Sequence, residues 1–136
     1  MRKGIDVSYC QAGMNFKAAV DAGAEFAIIR IGRRGDSGTK YIDTEFVTNI
    51  NAAIDAGMDV GVYYYTKART PEEAADDAEF LVELLKEYCT GTELKMGIWY
   101  DVEDDATTGT CDNETITAII SRWICAMNDA GYKNAG

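Results

Sequence analysis

The sequence predicts an α/β fold in which parallel strands alternate with helices over about four βα units, and two observations carry that prediction. The first is a repeat of helix endings. Helix-like segments close on glycine at Gly23, Gly57, Gly91 and Gly131, and three closures are near copies: Ala-Val-Asp-Ala-Gly at 19–23, Ala-Ile-Asp-Ala-Gly at 53–57 and Met-Asn-Asp-Ala-Gly at 127–131. Glycine just past a helix takes the left-handed conformation that ends it. The second observation is a short and largely apolar run directly after each of the first three closures. Apolar runs of that length alternating with helices are how parallel strands buried on both faces read.

Taken in order, Lys3 to Val7 is the first strand, ahead of a helix that Asn15 can cap. The second strand, Phe26 to Ile31, leads into a glycine-rich, charged loop from Gly32 to Ile42. Asp43 is placed to cap the second helix, whose apolar stripe is Phe46, Ile50, Ala53 and Ile54. Asp59 to Tyr65 is the third strand. Thr70-Pro71-Glu72-Glu73 then supplies an N-cap, a proline at the first helical position and a capping-box glutamate for a helix with its stripe at Ala74, Ala78, Leu81 and Leu85. Met96 to Asp101 reads as a buried fourth strand. Asp112 or Asn113 caps a fourth helix, striped by Ile116, Ile119, Ile120, Trp123, Ile124 and Met127. No linker or low-complexity tract interrupts this order, so residues 1–136 read as one domain that stops at Gly136, where a fifth strand is due.

Bulk properties narrow the function. A chain of 136 residues with 47% hydrophobic composition can bury a sizeable core as a single domain. Its formal net charge of -10 argues against a nucleic acid or an anionic membrane surface as partner. No apolar run approaches a membrane span, and Met1-Arg2-Lys3 leads straight into Gly4-Ile5-Asp6-Val7 with no signal peptide visible, so the expectation is a soluble protein without membrane insertion. Histidine is absent, which removes Ser-His and Cys-His catalysis. Cys10, Cys89, Cys111 and Cys125 show no metal spacing and are expected as thiols, with a Cys89–Cys111 bridge as the alternative.

Carboxylates and tyrosines are left, and they gather. In βα architectures ligands collect at the C-terminal ends of the strands, where the βα loops meet. Asp6 closes the first strand, Arg30 lies near the end of the second, Tyr63, Tyr64 and Tyr65 close the third, and Asp101 with Glu103 closes the fourth. Residues i and i+2 on a strand point to one side, so Asp101 and Glu103 face one place if the strand persists. Two carboxylates in one pocket push their pKa values apart, which is acid/base equipment. The plainer reading is a solvated acidic loop, with Asp104 and Asp105 behind the pair. For Arg30 the plainer reading is a buried partner to one of the acids.

Gly4-Ile5-Asp6-Val7-Ser8 with Gln11, the Phe26-Ala27-Ile28-Ile29-Arg30 strand, Ala56-Gly57 leading into Val60 to Tyr65, and Tyr100-Asp101-Val102-Glu103 together resemble glycoside hydrolase family 25, the muramidases of bacterial peptidoglycan. The resemblance runs over the whole chain. It implies a TIM-like irregular (β/α) barrel, of which this chain holds about four units. It also implies hydrolysis of the β-1,4 bond from N-acetylmuramic acid to N-acetylglucosamine, with no metal or organic cofactor. Carried over by motif, Glu103 is the general acid, Asp101 its acidic neighbour that stabilises or orients the reacting sugar, and Asp6 the completing acid across the cleft. Tyr63 and Tyr65 line the sugar site, with Gln11 and Arg30 as further substrate-binding candidates. The implied partner is a peptidoglycan glycan strand, and the implied place of action is the bacterial cell wall. Attack by a carboxylate and attack by the substrate's own acetamido group both fit an acidic pair.

The chain departs from the family in carrying Tyr64 where many relatives carry histidine, and in its length. A closed barrel takes about 200 residues or more. The expectation is therefore an incomplete barrel with open sheet edges and one apolar face uncovered, a fragment prone to self-association. Two other readings fit the same residues: a noncatalytic glycan-binding module of this fold, and a Mg²⁺- or Ca²⁺-dependent hydrolase using Asp6, Asp101, Glu103, Asp104 and Asp105 as oxygen ligands.

Overall fold

The computed structural model of the protein describes residues 1–136. Its strands are β1 (Gly4–Val7), β2 (Phe26–Arg34), β3 (Lys40–Ile42), β4 (Asp59–Tyr65) and β5 (Ile98–Asp101). The helices are α1 (Phe16–Asp21), α2 (Phe46–Asp55), α3 (Pro71–Tyr88) and α4 (Asn113–Asp129), with short 3-10 turns at Tyr9–Gln11 and Thr108–Thr110. The sheet order is β1-β2-β4-β5, all parallel, with β3 antiparallel to the end of β2. The barrel is not closed. Gly23, Gly57, Gly91 and Gly131 all have the left-handed φ that the repeated helix endings require.

Three sequence expectations change here. The loop from Gly32 to Ile42 is a ribbon: β2 runs on to Arg34, and Gly32, Arg33 and Arg34 pair with Ile42, Tyr41 and Lys40. Gly32 is needed in it, because a Cβ there would stand 2.7 Å from the Tyr41 carbonyl oxygen. Next, the stretch due to begin another strand does pair. Ile98 N–H donates to the Asn134 carbonyl at 3.1 Å, Tyr100 N–H to the Gly136 carbonyl at 2.8 Å, and Gly136 N–H to the Ile98 carbonyl at 2.9 Å. The last change concerns the faces of the sheet. The strands bury one face fully and the other by half, and the half-buried face is not the apolar surface expected. Along the register it carries Asp6 beside Ile28 and Gly61, then Arg30, Tyr63 and Trp99, then Arg33, Tyr65 and Asp101.

The opposite face holds the core. Val7, Ile29, Val62 and Ile98 form one buried row across all four parallel strands. Against this layer pack Phe46, Ile50 and Ala53 of α2, Ala74, Ala78, Leu81 and Leu85 of α3, and Ile119, Trp123 and Met127 of α4. Trp123 stacks on Tyr100, ring centroids 4.6 Å apart. Ile54, expected in the α2 stripe, is 42% exposed. The capping residues Asn15, Thr70 and Asp112 act as expected. Asp43 is not the N-cap of α2, a position Glu45 holds: its carboxylate accepts from the Glu45 N–H through Oδ1 and from Arg30 through Oδ2. All four cysteines are free, so Cys89 and Cys111 are not bridged. No helix is long and apolar enough to cross a membrane.

A bulge in β2 sets which side chains face the half-buried side. Its register against β4 shifts between Arg30 and Gly32, so Arg30 pairs with Tyr63 while Gly32 pairs with Tyr64 and Arg33 with Tyr65. One extra residue reverses the alternation beyond it. Arg34 is thereby buried on the helix side, and Arg33 joins Arg30 on the half-buried side.

Candidate active site

Asp6, Tyr63, Trp99, Asp101 and Glu103 line one cavity of about 410 Å³ at the C-terminal ends of β1, β4 and β5. Strand periodicity builds it. Trp99 and Asp101 alternate onto the same side of β5, Glu103 lies two residues further on, and Tyr63 sits opposite Trp99 in the register of β4. Trp99 is the residue that sequence reasoning missed: it reads as part of a buried apolar run, yet it is 48% exposed and forms a wall of the cavity. The signal is present, since the i, i+2 spacing that joins Asp101 to Glu103 also joins Trp99 to Asp101.

Burial pushes the Asp101 carboxyl up to about 6, the charges of Glu103 and Asp6 add to the rise, and the Arg30 guanidinium opposes it. The Asp101 side chain accepts no hydrogen bond from the protein. Burial also raises the Tyr63 phenol to about 12, so its hydroxyl keeps its proton and can donate to a sugar oxygen.

The other expected site residues lie around this cavity without lining it. Tyr65 donates its hydroxyl to Asp104 at 2.9 Å. The Thr107 hydroxyl, then that of Tyr65, with the Lys67 ammonium 3.4 Å away, holds Asp104 down at about 2. Gln11 caps the turn after β1, its amide oxygen accepting from the Ser8 N–H at 2.9 Å. Arg30 takes the structural role of partner to an acid: its Nε donates to Asp43 at 2.7 Å, and its guanidinium lies over the Tyr9 ring. Tyr64 leaves the group altogether, because alternation sends it to the helix side, where its hydroxyl donates to Asp77. Of the acids in the metal reading, Asp104 is committed to Tyr65, Thr107 and Lys67, and the carboxylates that share the cavity are not grouped closely enough to hold a metal ion. A larger hollow between α1 and α2, about 560 Å³, is lined by residues such as Met14, Phe16, Lys17 and Ala52 and gathers no acid pair.

The chain as a whole is similar to known proteins. The family model described as glycosyl hydrolases family 25 matches residues 5–135. Lysozyme M1 of Streptomyces globisporus is 35% identical over 65 residues, covering 48% of this chain and 21% of that protein. The autolytic lysozyme of Clostridium acetobutylicum is 30% identical over 74 residues, 54% of this chain and 22% of that protein. The chain thus spans about a fifth of the length of the curated relatives it matches. Among solved structures, the modular autolysin LytC from Streptococcus pneumoniae superposes with a TM-score of 0.80 at 30% identity, over 98% of this chain and 31% of that one. A family 25 glycosyl hydrolase from Bacillus anthracis shares the fold, with a TM-score of 0.74 at 20% identity over 99% of this chain and 58% of its own. The chain belongs to glycosyl hydrolases family 25.

Proposed function

We propose that this chain hydrolyses the β-1,4 bond from N-acetylmuramic acid to N-acetylglucosamine in peptidoglycan, acting at the bacterial cell wall. The observation that carries the reading is the convergence of three carboxylates, Asp6, Asp101 and Glu103, with Tyr63 and Trp99 in one cavity. Support comes from LytC of Streptococcus pneumoniae, 29% identical, whose structure is also solved in complex with a synthetic peptidoglycan ligand.

Glycosidic cleavage needs a proton for the leaving oxygen and negative charge facing an oxocarbenium-like transition state. In this proposal Glu103, beyond the end of β5 and free to follow the substrate, passes the proton. Asp101 is fixed in the strand with no donor to quench it, so its charge is available to the reacting sugar, and Asp6 adds a second charge from β1. Trp99 and Tyr63 give a sugar ring an apolar wall and a phenol donor. Release of new reducing ends from purified peptidoglycan tests the reading. Glu103→Gln is expected to lower the rate by about 10²- to 10⁴-fold, the usual contribution of a general acid. Equal rates for the two proteins would overturn Glu103 as the acid, and binding without cleavage by the unaltered chain would favour a noncatalytic glycan-binding module.

A further inference from the structure

A second cavity, about 310 Å³, opens beside the acidic one and is lined by Tyr9, Arg30, Arg33, Tyr41, Asp43 and Thr44 among others. It is a basic cavity in a chain of net charge -10. Asp43 pairs with Arg30, so the excess charge of the lining is that of Arg33: Asp43 Oδ2 accepts from Arg30 Nε at 2.7 Å and from the Tyr9 N–H at 3.1 Å, and Oδ1 from the Glu45 N–H at 3.0 Å. Arg33 forms no ion pair. Arg30 keeps a terminal nitrogen, Nη2, buried without an acceptor.

Both guanidinium groups sit over aromatic rings. Arg30 lies over the Tyr9 ring and Arg33 over the Tyr41 ring, each 4.8 Å from the ring centroid. A ring against the face of a guanidinium leaves its N–H groups available: Arg33, which makes no side-chain hydrogen bond, can grip a planar carboxylate in bidentate fashion, while Arg30, with Nε on Asp43, has only its terminal nitrogens to add. The bulge in β2 matters here. Unbroken alternation would send Arg33 to the helix side with Ile29 and Ile31, whereas the register shift turns it to the side of Arg30.

We propose that this cavity is a carboxylate subsite, where Arg30 and Arg33 hold an acidic group of a glycan strand whose sugar occupies the neighbouring acidic cavity. The substrate class rests on the peptidoglycan reading. Two carboxylates of such a strand share this chemistry: the lactyl ether carboxylate of an unsubstituted muramic acid, and a carboxylate of the attached peptide.

The test is an NMR titration that tracks the arginine Nε–H signals and the Tyr9 and Tyr41 rings. N-acetylmuramic acid presents the lactyl carboxylate, N-acetylmuramoyl dipeptide presents only peptide carboxylates, and N-acetylglucosamine presents neither. The Arg30 and Arg33 signals are expected to move with one or both acids and stay still with N-acetylglucosamine; the acid that moves them names the source. Arg33→Gln is expected to weaken binding of that acid about tenfold, the scale of one charge-assisted hydrogen bond, and binding of its methyl ester by less than about twofold. Equal shifts from acids and N-acetylglucosamine, or an equal loss for acid and ester, would overturn the subsite. The sugar-free probe 2-methoxypropionate separates the two readings. If it moves Arg33 while no sugar disturbs Trp99, the subsite stands and the glycan reading falls; if sugars disturb Trp99 and no carboxylate moves Arg33, the reverse holds.

Discussion

Asp77 and Asp101 are both carboxylates that burial pushes above their ordinary range, and the fold treats them in opposite ways. Asp77, on α3, is wholly buried and accepts four hydrogen bonds: from Arg34 Nε at 2.8 Å, Thr66 Oγ1 at 2.7 Å, and the hydroxyls of Tyr100 at 2.8 Å and Tyr64 at 3.2 Å. Asp101, on β5, has no donor from the protein and stands between the charges of Glu103 and Asp6. Tyr100 and Asp101 are consecutive, so one strand delivers a donor to the satisfied carboxylate and the next residue is the unsatisfied one. Buried charge thus has two uses in this molecule. Behind the sheet, charge is matched and locks α3 to β2, β4 and β5. In front of it, charge is left unmatched where a positively charged transition state would be welcome.

The largest effect expected from breaking this contrast is at the matched site. Asp77→Ala takes their common acceptor from the Arg34 Nε and three hydroxyls while Asp76 still pairs with Arg34, and removing this buried partner is expected to cost about 3 kcal/mol. Urea denaturation will measure it, and a cost below about 1 kcal/mol would mean that the network does not lock the helix. Tyr64→Phe takes away one of the four donors and is expected to cost about 1 kcal/mol by the same measurement.

The smallest effect has the opposite sign and sharpens the comparison most. Asp101 has a raised folded-state pKa, so its folded form binds a proton more tightly than the unfolded chain does. Its contribution is most favourable below the ordinary carboxylate range and is lost as pH rises from about 4 through about 6. Asp101→Asn should therefore raise the melting temperature at pH 7 slightly and flatten its pH dependence between about 4 and 6. A lower melting temperature at pH 7 would show that the carboxylate is matched after all.

The same contrast explains what was legible in the sequence. Helix endings, three of the four caps and the four parallel strands come from local chemistry: glycine past a helix, Thr70-Pro71 at a start, short apolar runs between. The acidic cavity was legible for a related reason, since Asp6, Asp101 and Glu103 all lie at strand ends that a parallel sheet brings to one side. The matched network was hidden. Asp77 lies in an acidic stretch that reads as solvated surface, although its position between Ala74 and Leu81 puts it on the apolar stripe of α3. Arg34 was hidden because Gly32, Gly35 and Gly38 made a ribbon look like a loop. The bulge at Arg30 and Gly32 has no local signature, and it alone decides which arginines face front and which face back.

The pairing of Asn134 to Gly136 along β5 has a further consequence. With β4 on one side and these residues on the other, β5 is braced at both edges, whereas β1 is held by β2 alone. Fraying begins at singly held strands. Within these residues the acids thus sit on unequally braced strands: Asp101 on the one paired at both edges, and Asp6 on the one paired at a single edge.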